Sequence, residues 1–266
     1  LLEHDVVPEP DTLFDDYAGR AAPASEQLME VGRDLTMASD LKVRPPLVGA
    51  TNLAGEYGRM SDAQKAAWDA AYVPRNQQFA AAAVAGRDLT RWKYQAYMKD
   101  YIRCVKALDD NVGRLLGELT AQGLDDNTVV IYASDQGFYN GEHGWFDKRW
   151  MYEESLSMPL IVRWPGVVKP GSRFRPMVQN IDYAPTMVEI AGGAAPSTVH
   201  GRSFVPILGG RTPKDWRTSV YYHYYEFPQD HRVQAHVGVR TDRYKLISYY
   251  PVGQWELFDL QHDPRE

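Results

Sequence analysis

The most regular pattern of apolar residues in the chain runs from residue 89 to residue 122. Apolar side chains recur there every three or four residues, the spacing that places them on one face of an α-helix; they are Tyr94, Tyr97, Tyr101, Val105, Leu108, Val112, Leu115 and Leu119. Gly123 follows, and glycine readily takes the left-handed conformation found just after a helix. We therefore predict a long helix over residues 89–122, with its apolar face in the core.

A shorter helix is predicted after Ser61. Ser61 and Gln64 have the spacing of a capping box, in which each side chain binds the backbone of the other residue. Apolar residues continue to Tyr72, and Pro74 follows them. Because proline lacks a backbone N–H, we expect this helix to end at Pro74.

Two short apolar runs, residues 129–132 and 160–162, show no alternation with polar residues. Such runs are typical of strands that are covered on both faces, as in a parallel sheet. A long helix leading by a short turn into such a strand is an α/β unit. The fold class predicted for residues 1–210 is therefore α/β, with a mostly parallel sheet.

The pattern changes after residue 211, where four aromatic-rich runs follow one another without intervening helices. Adjacent strands of this kind predict a small antiparallel sheet; the runs are residues 220–225, 236–240, 244–249 and 255–260. We therefore predict a separate C-terminal subdomain over residues 211–266.

Composition excludes several classes of partner. The 266 residues carry a formal net charge of −6, whereas nonspecific nucleic-acid binding requires a basic surface. No run of eighteen apolar residues occurs, so we expect no membrane span. Cys104 is the only cysteine, which excludes an internal disulfide and a thiolate zinc site. His4, near the first residue, is expected to be solvated and without a catalytic role.

Candidate chemistry is concentrated directly after the run at residues 129–132. Open α/β sheets bind ligands at the carboxyl ends of their strands. Asp135 and Gln136 offer oxygen atoms, the ligands that calcium and magnesium prefer, although two ligands make only half a site. His143 and Lys148 are useful beside an anion. The same residue types are also ordinary turn formers, so residue type alone leaves both interpretations open.

The string SDQGFYNGEHGWFDK, residues 134–148, resembles the sulfatase family, the formylglycine-dependent branch of the alkaline-phosphatase-like superfamily. In that family a strand ends in Ser-Asp-(Asn, Gln or His)-Gly and is followed by Gly-Glu-His-Gly and a lysine. The resemblance implies a partial alkaline-phosphatase-like sandwich, calcium bound by Asp135 and Gln136, and sulfate oxygens bound by Lys148. It also implies a catalytic function for His143, which matches the motif histidine, although the role of that histidine varies within the family.

The resemblance further implies a formylglycine nucleophile. The chain contains neither Cys-x-Pro-Ser-Arg nor Ser-x-Pro-Ser-Arg, the strings from which this group forms. We therefore expect the formylglycine in an N-terminal part that this chain lacks, and we expect the chain alone to be catalytically incomplete. By the same resemblance, a periplasmic, secreted or lysosomal location is expected.

The segments YYHYYEFP and HVGVRTDRYKLI, at residues 221–228 and 236–247, resemble the glucosamine-6-sulfatase-like branch of the family. Aromatic walls with polar groups suit sugars, which have apolar faces and hydroxyl rims. His223, His236 and Arg240 are therefore predicted to bind a sulfated carbohydrate, against the alternative of a solvated rim.

Two other functions stay open at this point. The first is a phosphodiesterase or phosphonate hydrolase of the same superfamily, although a site with two transition metals needs further His and Asp ligands. The second is a module that binds sulfated glycans without turnover. Whatever the function, a fragment of a parallel sheet is expected to expose strand edges that favour association between chains.

Overall fold

The computed structural model describes residues 5–43 and 57–266, so the expectation for His4 lies outside the described residues. Within these ranges the α-helices are α1 Pro23–Glu26, α2 Asp62–Ala82, α3 Gly86–Ala121, α4 Glu153–Leu156, α5 Tyr183–Ile190 and α6 Val205–Leu208. The strands are β1 Val130–Ala133, β2 Tyr139–Asn140, β3 Phe146–Asp147, β4 Leu160–Arg163, β5 Ser219–Tyr224, β6 His236–Thr241, β7 Tyr244–Tyr249 and β8 Gln254–Asp259. Short 3-10 turns lie at Asp125–Asn127, Glu142–Gly144, Asn180–Asp182 and Asp230–Arg232.

Helix α2 begins as predicted and ends later than predicted. The backbone N–H of Ser61 donates to Gln64 Oε1 at 2.8 Å, and that of Gln64 donates to Ser61 Oγ at 3.3 Å, which completes the capping box. The expectation that Pro74 ends the helix is wrong, because the helix continues to Ala82. An Ala-rich sequence follows Pro74 and favours helix strongly enough to offset one lost hydrogen bond.

Helix α3 confirms the prediction of a long helix, and Gly123 after it is left-handed with φ of 67°. Its buried residues all lie in its first half: Lys93, Tyr94, Ala96 and Met98. None of residues 99–121 is buried by the described part of the chain, and Leu115 is 63% exposed. The expectation that the whole apolar face lies in the core is therefore wrong for the second half.

Strands β1 and β4 form an antiparallel pair, with Val130 opposite Arg163. The expectation of a mostly parallel sheet is therefore wrong for the described residues, because the chain turns back through the loop between these strands and enters β4 from the opposite direction. The described residues also do not cover both faces of this pair as expected, since Ile161 is 63% exposed. The mixture of helices and strands agrees with the predicted α/β class.

The C-terminal sheet confirms the prediction of antiparallel strands, in the order β5-β6-β7-β8. One of its faces packs on the largest aromatic core of the described chain, which includes Trp145, Trp150, Ile247, Tyr249 and Phe258. This core contains residues from both sides of position 210. The division into 1–210 and 211–266 stays a prediction.

Candidate functional site

A cleft of about 900 Å³ lies between the loop that follows β1 and the edge strand β5. Five of the seven predicted site residues line it: Asp135, Gln136, Lys148, His223 and Arg240. The structure therefore brings the loop motif and the aromatic C-terminal segment together, although more than seventy residues separate Lys148 from His223 in the sequence. His143 and His236 lie elsewhere.

Gly137 fixes the part of the loop that carries Asp135 and Gln136. Its backbone N–H donates to the Ser155 carbonyl at 2.8 Å. A Cβ atom at position 137 would lie 1.9 Å from the Glu154 carbonyl oxygen, so only glycine fits against this backbone. The close approach holds the two oxygen-bearing side chains at the cleft wall.

Lys148 lies between two residues with left-handed backbone, Asp147 with φ of 70° and Arg149 with φ of 99°. This conformation is uncommon for residues other than glycine, and contacts from His231 and Tyr222 accompany it. The Asp147 carboxylate pairs with the Arg149 guanidinium and lies 3.0 Å from His231 Nε2. The Tyr222 hydroxyl donates to the Arg149 carbonyl at 2.9 Å.

These contacts hold the Lys148 backbone from both sides while its side chain stays accessible. The Lys148 side chain is 37% exposed, and its Nζ is 3.8 Å from Asp147 Oδ1. At that distance the ion pair is loose, and an anion in the cleft can compete for the ammonium group.

Arg240 lines the cleft, and its guanidinium already forms an ion pair with Glu153. Its guanidinium makes two contacts with the Glu153 carboxylate, Nε to Oε1 at 3.2 Å and Nη2 to Oε2 at 3.1 Å. Lys245 Nζ is 2.9 Å from the same carboxylate. Burial raises the pKa of Glu153, but the two cations outweigh it and the net pKa is lowered. Because its charge is paired with Glu153, Arg240 offers the cleft hydrogen-bond donors more than an unpaired positive charge.

The structure places His143 away from the cleft: its side chain is fully buried and does not line the cavity, and its catalytic role stays a prediction. Its Nδ1 is 3.2 Å from Asp15 Oδ2, and its Nε2 is 3.6 Å from Glu154 Oε2. Burial lowers the pKa of His143, but the two carboxylates outweigh it and the net pKa is raised. His143 holds the motif loop from behind.

His236 also lies outside the cleft, and its substrate-binding role stays a prediction. In β6 this side chain points to the inner face of the sheet, where it is fully buried. Its ring stacks on Trp150, Tyr222 and Tyr224 at centroid distances of 5.5–5.6 Å. Burial lowers the pKa of His236 to about 4, so its ring is neutral in the aromatic core.

Calcium fits the cleft in kind, because Asp135 and Gln136 offer the carboxylate and amide oxygens that a hard cation prefers. These two donors fall short of the usual six to eight ligands. Among the described residues, no three His, Cys, Asp or Glu side chains are grouped closely enough to hold a metal ion. A complete site therefore needs further oxygen donors besides these two side chains.

The supporting residues Asp15, Asp147 and Glu154 were not predicted from the sequence. Two of their contacts are distant along the chain: Asp15 is 128 residues from His143, and Asp147 contacts His231 of the C-terminal segment. No local motif signals such a pair, and the acidic neighbours of Lys148 and Glu153 look like ordinary surface charges in the sequence.

Two family models match the chain. The model described as "Sulfatase" covers residues 45–194, and the model described as "N-sulphoglucosamine sulphohydrolase, C-terminal" covers residues 141–266. The chain belongs to the sulfatase family. The family resemblance carried by residues 134–148 is thereby confirmed.

Individual relatives of this sulfatase chain agree. It is 46% identical over 273 residues to an N-acetylglucosamine-6-O-sulfatase of Bacteroides thetaiotaomicron, an alignment that covers 100% of this chain and 49% of the relative. A solved structure of a protein in complex with its substrate D-glucosamine-2-N,6-O-disulfate matches with a TM-score of 0.95 at 44% identity, covering 99% of this chain and 55% of that one. The chain thus spans about half the length of these relatives.

A phosphonate monoester hydrolase from Silicibacter pomeroyi is more distant. Its structure matches with a TM-score of 0.59 at 27% identity, over 64% of this chain and 36% of that one. These matches agree with the predicted alkaline-phosphatase-like fold. Neither described range contains a helix both long and apolar enough to cross a membrane.

Proposed function

We propose that the protein is a sulfuric ester hydrolase that acts on a sulfated amino sugar, such as a 6-sulfated glucosamine. The observation that carries this proposal is the convergence of Asp135, Gln136 and Lys148 on one cleft whose facing wall is the aromatic strand β5. One wall offers ligands for a cation and an anion, and the other offers the aromatic and hydroxyl groups that suit a sugar.

In this proposal Lys148 binds a non-bridging oxygen of the sulfate ester. Its ammonium group stabilises the negative charge that grows on the sulfate oxygens and the leaving oxygen during hydrolysis. Asp135 and Gln136 would hold calcium, which supplies a further positive charge beside the sulfate. His223 and the Arg240 N–H groups bind the carbohydrate from the facing wall.

The formylglycine nucleophile belongs to this proposal as a group supplied from outside the 266 residues. Covalent catalysis requires its nucleophile. We therefore expect the chain alone to bind ligand without turnover, and to bind calcium weakly through two oxygen ligands. A periplasmic, secreted or lysosomal location and association through exposed strand edges stay predictions.

The alternatives receive less support. Phosphonate hydrolases share the fold, but the relative of higher identity is an N-acetylglucosamine-6-O-sulfatase. A binding module without turnover has the same cleft, and only the assay of a longer protein with the nucleophile distinguishes it from an enzyme.

The decisive experiment measures ligand binding to the chain in calorimetry, with 6-sulfated N-acetylglucosamine, its unsulfated form and nitrophenyl sulfate. Lys148→Ala is expected to weaken binding of the sulfated sugar at least about tenfold, because charge-assisted hydrogen bonds contribute about 1.5–3 kcal/mol each. Lys214→Ala is the matched control, since it removes the same charge outside the cleft.

Equal binding of sulfated and unsulfated sugar would contradict an anion site at Lys148. Equal losses of affinity in Lys148→Ala and Lys214→Ala would also contradict it, because the change in net charge alone would then explain the weaker binding. Strong preference for nitrophenyl sulfate over the sulfated sugar would remove the carbohydrate from the proposal.

A further inference from the structure

Strand β5 carries aromatic residues on both of its faces, and only one face belongs to the core. Tyr222 and Tyr224 point inward and stack on the buried His236. Tyr221 points outward and is 60% exposed, and Tyr225, just beyond the strand, is 72% exposed. Burial of the inward rings explains their presence in the strand, whereas packing does not explain the outward ones.

The outward rings are organised around His223. Tyr225 lies against the imidazole with a centroid distance of 3.7 Å. The Tyr221 hydroxyl is 3.1 Å from His223 Nδ1, and the Tyr250 hydroxyl is 3.5 Å from Nε2. Both imidazole nitrogens therefore face tyrosine hydroxyl groups, which fix the ring plane and leave the open face of Tyr225 toward solvent.

This group of rings is continuous with the cleft but displaced from its sulfate-binding end. Tyr221, His223 and Tyr225 all line the cleft. The inward Tyr222 contacts the backbone next to Lys148 through the Arg149 carbonyl. Because alternate residues of a strand point to opposite faces, the outward rings lie on the far side of β5 from that contact, at the outer rim of the cleft.

We propose that Tyr225, His223 and Tyr250 form a second sugar subsite, which takes the neighbouring ring of an oligosaccharide whose sulfated ring lies at Lys148. The inference rests on the proposed function for the sulfated ring. An exposed tyrosine face supplies an apolar platform for the C–H face of a sugar, and the hydroxyl groups of Tyr221 and Tyr250 reach its rim. The proposed substrate class is therefore an oligosaccharide that carries the sulfated ring at Lys148.

The ion pairs of the cleft agree with a neutral second ring. Arg240 is paired with Glu153, and Arg149 with Asp147. Glu226, which also lines the cleft beside these rings, accepts a hydrogen bond from the Tyr224 hydroxyl at 3.2 Å. A carboxylate at this position disfavours a second sulfate and accepts hydrogen bonds from sugar hydroxyl groups.

The test compares a sulfated monosaccharide with a disaccharide that carries the same sulfated ring, both titrated into the 266-residue chain. Tyr225→Ala is expected to weaken binding of the disaccharide about tenfold and to change binding of the monosaccharide less than about twofold. Tyr244→Ala is the matched control, since Tyr244 is 44% exposed on the outward face of β7 and does not line the cleft.

A second arm separates the subsite from the sulfate site. In saturation-transfer NMR, an unsulfated N-acetylglucosamine disaccharide should receive magnetisation from tyrosine rings in the wild-type chain and in Lys148→Ala, and lose it in Tyr225→Ala. Loss of sulfated-ligand binding in Lys148→Ala reports on the proposed function alone. The subsite is overturned if Tyr225→Ala affects both sulfated ligands equally or neither, or if the wild-type chain transfers nothing to the unsulfated disaccharide.

Discussion

Residues 139–152 contain little regular secondary structure, and residues 105–121 form an uninterrupted stretch of helix, yet the loop is the buried region of the two. Tyr139, His143, Trp145, Trp150 and Tyr152 are fully buried in the loop. No residue of the helical stretch is buried by the described chain, and Leu108 and Leu115 are about half exposed or more.

This difference shows that an apolar pattern can predict secondary structure without predicting burial. In the helix, the spacing of leucines and valines gives the secondary structure correctly, because that spacing is a property of the helix itself. Burial depends on a partner surface, which the described residues do not offer to the second half of α3. In the loop, aromatic residues recur without a period and are buried from several directions. The periodicity of apolar residues therefore predicts secondary structure, but it does not predict which region forms the core.

The largest expected effect comes from removing an indole in the loop. Trp145 stacks on Trp150 at 5.0 Å and on Tyr152 at 5.4 Å, and its Nε1 donates to the Tyr17 hydroxyl at 2.8 Å. Trp145→Ala should lower the free energy of unfolding by about 4 kcal/mol in urea titration. Leu115→Ala in the helix should change it by less than about 0.5 kcal/mol.

Trp255→Ala controls for the loss of an indole as such, because Trp255 is 63% exposed. Its cost should stay below about 1 kcal/mol. Similar costs for Trp145→Ala and Leu115→Ala would show that the loop is not the core of this chain.

Replacing either of two glycines by alanine should change the stability by an intermediate amount, with opposite signs at the two positions. A Cβ at Gly137 would meet the Glu154 carbonyl oxygen at 1.9 Å, whereas a Cβ at Gly117 in α3 would meet no atom within 4 Å. Gly137→Ala should destabilise the chain by about 3 kcal/mol because the backbones must separate. Gly117→Ala should stabilise it by about 1 kcal/mol through helix propensity. Thermal unfolding measures both, and two changes of the same sign would contradict the comparison.

The smallest expected effect concerns pH and the two buried histidines. The pKa of His143 is raised, so its contribution to stability is complete below about pH 6.5 and is lost as pH rises through the folded pKa. The pKa of His236 is lowered to about 4, so the unfolded chain binds the extra proton and stability falls as pH decreases from about 6.5 to 4.

The cost of His143→Gln should therefore be larger at about pH 6 than at about pH 9, and the cost of His236→Gln should be smaller at about pH 4.5 than at about pH 7. Urea titration at each pH measures the four values. Two costs that change with pH in the same direction would show that one of the rings is not held as described.

Much of the fold follows from local sequence, and the site follows from it only in part. The capping box at Ser61, the helix before Gly123 and the four C-terminal strands depend on neighbours within a few residues, and the structure confirms them. The continuation of α2 through Pro74 and the antiparallel pairing of β1 with β4 depend on competing local preferences and on the path of the chain, which no single motif encodes.

Within the site, a linear motif brings Asp135, Gln136 and Lys148 together because the residues lie in one loop. The structure places two of the predicted histidines outside the cleft, for a reason that no linear motif shows. His143 and His236 are polar residues in aromatic surroundings, and their burial is determined by partners such as Asp15 and Trp150 that lie far along the chain. The strand register places His236 opposite the inward-facing Tyr224, and a linear pattern does not encode that pairing.

The long sequence separation of the contacts behind Lys148 also has a consequence for the order in which the chain is made. His231 hydrogen-bonds Leu28, 203 residues earlier, and the Tyr152 hydroxyl donates to Glu256, 104 residues later. Contacts that close such long loops form late, because the chain loses conformational entropy on closing the loop before the contacts contribute favourable free energy. During synthesis, Lys148 leaves the ribosome before His231, Tyr222 and Glu256 exist. The helix of residues 86–121 can form at once, whereas the cleft has no facing wall until strand β5 has emerged.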